Sequence, residues 1–142
     1  MKPYPILDQA TLIKTIYAIL AETGLPVLLD FPATDAEFPC VVFHSIIQTP
    51  IYMGAAWNIS VTVEVWSDKH FNPRIPHGGI PNPAEKQGAD YYTDIKSLLI
   101  GSNFMCERDI PTIRDEITDK IRYMGYFGTR WNATTNEFER RN

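Results

Sequence analysis

The sequence predicts an α+β fold: a mostly antiparallel sheet of four to five strands with two amphipathic helices packed on it. Ile59, Val61, Val63 and Val65 alternate with Ser60, Thr62 and Glu64, the period of a strand with one buried face. Leu12, Ile13, Ile16, Tyr17, Ile19 and Leu20 recur at helical spacing, as do Tyr91, Tyr92, Ile95, Leu98 and Leu99. The chain of 142 residues, 44% hydrophobic and 21% charged, has the size and balance of one globular domain spanning 1–142.

Taken in order, the first helix has Asp8 as its N-cap, Gly24 just past its end and Pro26 beyond. Val27–Phe31 reads as a short strand stopped by Pro32, and 33–38 as an acidic loop. Pro39 opens a second strand, 40–47, with Val41, Phe43 and Ser45 on one face and Val42, His44 and Ile46 on the other. Residues 49–57 then lead to the strand Asn58–Asp68, the centre of the reading. Residues 69–83 form a Pro/Gly-rich loop, longer than an ordinary connection. Asn82 followed by Pro83 and Glu85 predicts the start of the second helix, with Gly88 marking a close backbone approach and Gly101 its end. A short strand over 103–108 and a period-two stretch from Ile113 through Ile121 to Phe127 follow, with Gly125 as a bulge. The core is expected over 8–131, with 132–142 a polar tail that frays.

A net charge of −4 argues against a broad nucleic-acid-binding face, which needs clustered Lys and Arg. The opening residues lack an apolar signal segment and no run reaches membrane-span length, so a cytosolic origin is expected. Of the two cysteines, Cys40 reads as a small buried hydrophobe, and a bridge to Cys106 requires their strands to be neighbours. Cys40 and His44 are roughly 13 Å apart on a strand, too far for a thiolate–imidazole pair. His70 and His77 lack companion ligands at metal spacing and read as solvated loop residues. No Gly-rich phosphate loop is present, Asn132-Ala133-Thr134 reads as an unused sequon, and no cofactor or metal is expected.

Ile51, Tyr52, Met53 and Trp57 make the 49–57 connection unusually apolar. Either they extend the hairpin and pack on their own core, or they meet a partner subunit. Trp66, on the polar side of its strand, calls for cover by a helix, a loop or a neighbouring subunit. Phe71, in the long loop, joins these as a candidate contact residue. Asp109, Asp115, Glu116 and Asp119 form an acidic cluster, read as a solvated face or, through Asp115, Glu116 and Asp119, as a channel lining.

The order of these segments resembles the tail terminator and tail completion proteins of long non-contractile-tailed bacteriophages. The resemblance covers roughly residues 10–130. It rests on the N-terminal amphipathic helix followed by Gly24-Leu25-Pro26-Val27, on Phe38-Pro39-Cys40-Val41-Val42-Phe43, on Val61-Thr62-Val63-Glu64-Val65-Trp66-Ser67-Asp68, and on a second helix ending in Leu98-Leu99 before Tyr- and Ile-rich strands. It implies a non-enzymatic virion protein, a tail-terminator-like protomer of a hexameric ring at the head-proximal end of the tail. Such a ring would stop tube growth, contact the tail tube protein and the head–tail connector, pass DNA without specific binding and touch no membrane. It also implies sheets paired edge to edge between subunits. A head-side connector or stopper protein is the nearest alternative. A ligand-binding domain or enzyme with a pocket under loop 69–83 is the other.

Overall fold

A computed structural model describes residues 5–32, 36–68, 70, 74–79, 85–115 and 120–140. It has two helices and one sheet: α1 (Gln9–Ala21), β1 (Val27–Leu29), β2 (Cys40–Ile51), β3 (Ala56–Ser67), α2 (Gly88–Gly101), β4 (Met105–Asp115), β5 (Lys120–Asn132) and β6 (Glu137–Glu139). The α+β class is as expected, but the sheet has six strands, ordered β1-β2-β3-β5-β4 with β6 on β5. Among the described residues, only β1 and β2 pair in parallel. The Val-rich strand is indeed central: β3 pairs along its whole length with β5 and, apart from Val61 and Ser67, with β2.

Both helices cover one face of the sheet. Leu12, Ile16 and Leu20 of α1 and Tyr92, Ile95 and Leu99 of α2 are buried in the same cluster as Val41, Phe43, Ile59, Val61, Val63, Val65 and Phe127. Each large aliphatic side chain removed from water there contributes about 1.5–3 kcal/mol. The stripe of α1 is narrower than predicted, since Tyr17 is exposed and Ile13 and Ile19 only flank the cluster. Asp8 caps α1 by accepting from the Thr11 amide at 2.8 Å. At its other end Gly24, at φ 79°, donates its N–H to the Ala21 carbonyl at 3.1 Å.

Helix α2 starts later than its sequence signals indicate. Its N-cap is Gln87, whose amide donates to the Asp90 carboxylate at 2.9 Å in a capping box. Glu85 precedes the helix, and Asn82 and Pro83 lie outside the described residues. Gly88 sets the start: a Cβ there would fall 2.5 Å from the Tyr123 ring and 2.7 Å from Ser67 Cβ. The helix can approach β3 and β5 only at a residue without a side chain.

Gly125 has a related role, and it is not a bulge. A Cβ there would sit 2.1 Å from the Tyr92 hydroxyl, which donates to Asp109 at 2.6 Å. The register shifts lie on β4 instead, between Cys106 and Arg108 and between Ile110 and Ile113. β4 runs through Pro111, which an edge strand tolerates because one of its sides needs no ladder. The period-two stretch predicted across 113–127 is therefore two strands of a hairpin. The tail does not fray over its whole length, either: β6 pairs with Arg130–Asn132, and Phe138 packs against Phe104 at 5.6 Å. Cys40 and Cys106 are free, separated by β3 and β5.

Candidate functional site

The sheet face opposite the helices carries a second, smaller apolar cluster and a buried charge. Trp66 is 2% exposed and packs with Cys40, Val42, Leu28 and Phe38. Phe31 meets its ring edge-on at 5.8 Å, and the Arg122 guanidinium lies over it at 4.7 Å. Its cover therefore comes from its own chain, which removes Trp66 from the candidate subunit contacts. Burial pushes the neighbouring Cys40 thiol up to about 11, so it is an inert core group.

Glu64, on the polar side of its strand, is only 2% exposed. Burying a carboxylate is costly unless its oxygens are partnered. Here Arg122 Nε and Nη2 donate to Oε1 at 2.7 and 2.6 Å, and His44 Nε2 bonds Oε2. A carboxylate only accepts, so Nε2 of His44 carries the proton and Nδ1 faces Ser45 Oγ at 2.8 Å. Consecutive strand residues point to opposite faces. Ser45 reaches back to His44 because it sits in the β2 irregularity between His44 and Ile47, at φ 55°. The same irregularity inverts the predicted facing of the strand end: Ile46 packs on the main core and Ile47 turns to the helix-free face.

Beside this network lies an open cleft of about 420 Å³. Ile47, Met124 and Tyr126 form its apolar part, with His44, Ser45 and Glu107 at its polar margin. Ile47 is 59% exposed, a large aliphatic group left in water. Such a cleft is of the size and lining that bind a small ligand or an inserted side chain.

The predicted 49–57 connection resolves into strand and turn. β2 and β3 run to Ile51 and Ala56, which pair, leaving a four-residue tip. Trp57 and Ile51 are half-buried, Trp57 against the main core, so these two extend the hairpin. Tyr52 and Met53 do not: Tyr52 is 69% exposed and Met53 fully so. Tyr52, Met53 and Gly54 have φ of 51°, 58° and 90°. Positive φ suits Gly or Asn, and it costs a bulky residue roughly 1 kcal/mol or more. Arg130 lies over the Tyr52 ring at 5.9 Å. Just behind the tip, Trp57 Nε1, Asn58 Oδ1 and Arg130 Nε are buried without a hydrogen-bond partner among the described residues.

The remaining predicted residues divide. Asp109 is drawn to α2, where Tyr92 and Lys96 hold its carboxyl below the usual carboxylate range. Asp115 ends β4 half-buried and pairs in register with Lys120. Glu116, Asp119 and Phe71 lie outside the described residues, as does the side chain of His77. Sequence reasoning missed Glu64, His44, Ser45 and Arg122 as a unit, because a strand irregularity and cross-strand neighbours create it. The described residues contain no group of three or more His, Cys, Asp or Glu placed to hold a metal, and no helix long and apolar enough to cross a membrane.

The sheet has two open edges. β1 covers β2 only over Val41–Phe43, and β4 has no outer neighbour among the described residues. β4 is a poor template for another strand, interrupted by two register shifts and by Pro111. No family model matches this chain, and no curated protein matches it.

Proposed function

We propose that this chain is a non-enzymatic structural subunit that self-associates into a ring at the head-proximal end of a phage tail. In this reading the ring ends the tail tube and joins it to the head connector, with DNA passing through. The observation that carries the self-association is the hairpin tip, where Tyr52 and Met53 are held in water on an unfavourable backbone. A folded chain gains nothing internally from exposing a methionine this way; a partner surface gives it a use. The order of motifs, from the capped first helix through Val61–Asp68 to the second helix, supports the phage setting.

The test is the mass of the purified chain at micromolar concentration, with negative-stain images, and its position in intact particles. The expected result is a closed ring found where tail meets head. A strict monomer absent from particles would refute the reading, and a ring located on the head side of the joint would assign it instead to the connector or stopper role.

A second reading follows from Ser45, His44 and Glu64, a hydroxyl–imidazole–carboxylate series beside the cleft. Such a series suits a serine nucleophile whose proton passes to His44 Nδ1. Fluorophosphonate labelling of Ser45, lost in His44→Ala, would favour it, and no labelling would dismiss it. Arg122 holds the other oxygen of Glu64, which equally explains the network as a way to satisfy a buried charge, so the structural reading stands first.

A further inference from the structure

We propose that the Tyr52–Met53 tip of one copy inserts into the Ile47–Tyr126 cleft of the next copy, making a head-to-tail contact. This inference rests on the self-association proposed above and names its contact. Knob and socket match in two respects. The tip offers two large apolar side chains, and the cleft is a space of about 420 Å³ lined in part by Ile47, Met124 and Tyr126, with Ile47 exposed. The tip carries a cation, Arg130 over Tyr52, and the cleft margin carries the Glu107 carboxylate.

The positions of knob and socket decide the kind of contact. On β3 the cleft is lined by Ser60, Val61 and Thr62, while the hairpin turns at Ile51 and Ala56. That separation is roughly 15–20 Å along a strand. The two surfaces are therefore different patches of one molecule. Such a contact is heterologous, using up one knob and one socket per subunit, and it closes only as a ring. It also explains why the sheet need not pair edge to edge, given how β4 is interrupted.

Two variants separate the halves of the contact in the full-length chain. Tyr52→Asn with Met53→Gly removes the knob while supplying residues that favour the existing turn, so the monomer keeps or gains stability. Ile47→Glu places a charge in the socket at an exposed position, beside Glu107. By mass photometry and sedimentation velocity, each variant alone is expected to be monomeric where the native chain is assembled, with self-association at least ~30-fold weaker. Mixed in equal amounts, they are expected to form a dimer and nothing larger, because only one intact knob and one intact socket remain to pair. Assembly of the knob-less variant like the native chain would overturn this contact and leave the ring reading standing. A mixture that stays monomeric while both variants unfold at native temperatures would also overturn it. A native chain that is monomeric would overturn both proposals together.

Discussion

Glu64→Gln tests whether the buried charge network is a paired unit. The substitution keeps the shape of the side chain and removes the charge that Arg122 and His44 bond at its two oxygens. Breaking a fully buried pair costs about 3–5 kcal/mol, because a charge is left without its counterpart. Arg122 and His44 keep 20% and 25% of their side-chain surface in water, so part of the loss is made good by solvent. The expected cost is therefore about 2–3 kcal/mol, which for a chain of this length is a fall in Tm of roughly 6–12 °C. Urea unfolding followed by tryptophan fluorescence measures it, since Trp66 lies under the Arg122 guanidinium. Protein concentration must be fixed, because any self-association adds to apparent stability. The double variant Glu64→Leu/Arg122→Met keeps a stem over Trp66 and leaves neither charge behind. It is expected to be more stable than Glu64→Leu alone by ~1 kcal/mol or more. A cost for Glu64→Gln under ~0.5 kcal/mol, or a double variant no better than the single, would refute the view of a paired buried charge.

The other predictions concern packing, pH and thiol reactivity. Gly125→Ala forces Tyr92 aside and is expected to cost about 2 kcal/mol, falling below ~1 kcal/mol in a Tyr92→Phe background, as read by the same urea unfolding. Asp109 titrates below its ordinary 3.8 because Tyr92 and then Lys96 bond its carboxylate. Its folded value is depressed, so its contribution is present above pH 3.8 and fades as pH falls through the lower folded value. Asp109→Asn should therefore flatten the stability–pH curve in that acid window and leave its slope through neutral pH unchanged. In native protein at mildly alkaline pH, a thiol reagent should modify Cys106 slowly and Cys40 only on unfolding, because burial holds the Cys40 thiol up at about 11. Mass spectrometry of the labelled peptides decides it.

The parts of this fold that were legible in sequence are those set by local chemistry. Asp8 and Gly24 mark α1 because caps and left-handed turns need those residue types. Ile59 to Val65 mark β3 because a two-sided environment imposes period two. The unread parts depend on distant neighbours. Asn82 and Pro83 form a good local start signal, yet the helix begins at Gly88, where contact with Tyr123 and Ser67 requires a bare backbone. Glu64 alternates correctly with Val63 and Val65 but is buried, because Arg122 and His44 reach it from the adjacent strands. The facing of Ile46 and Ile47 depends on one positive φ at Ser45 that nothing in His44-Ser45-Ile46 announces. The tail was misread for a similar reason: Phe138 has no apolar neighbours in sequence, and its partner Phe104 lies over thirty residues away.

That contrast bears on where function lies in this molecule. Tyr52 and Met53 hold two successive positive-φ positions of a four-residue turn, for which Asn or Gly would be the low-cost choice. Several other local conflicts among the described residues are answered from within. Gly88 and Gly125 make room for Tyr123 and Tyr92, the Ser45 turn brings a hydroxyl to His44, and buried Glu64 meets Arg122. At the tip the backbone cost and the exposure fall on the same residues, and the Arg130 cation over Tyr52 leaves Met53 in water. Exposure of Ile47 at the cleft is the matching excess on the other side. If both excesses are relieved at once, a single head-to-tail contact accounts for them. If Tyr52→Asn/Met53→Gly leaves assembly unchanged, the turn is only strained, and Ile47 needs a different partner.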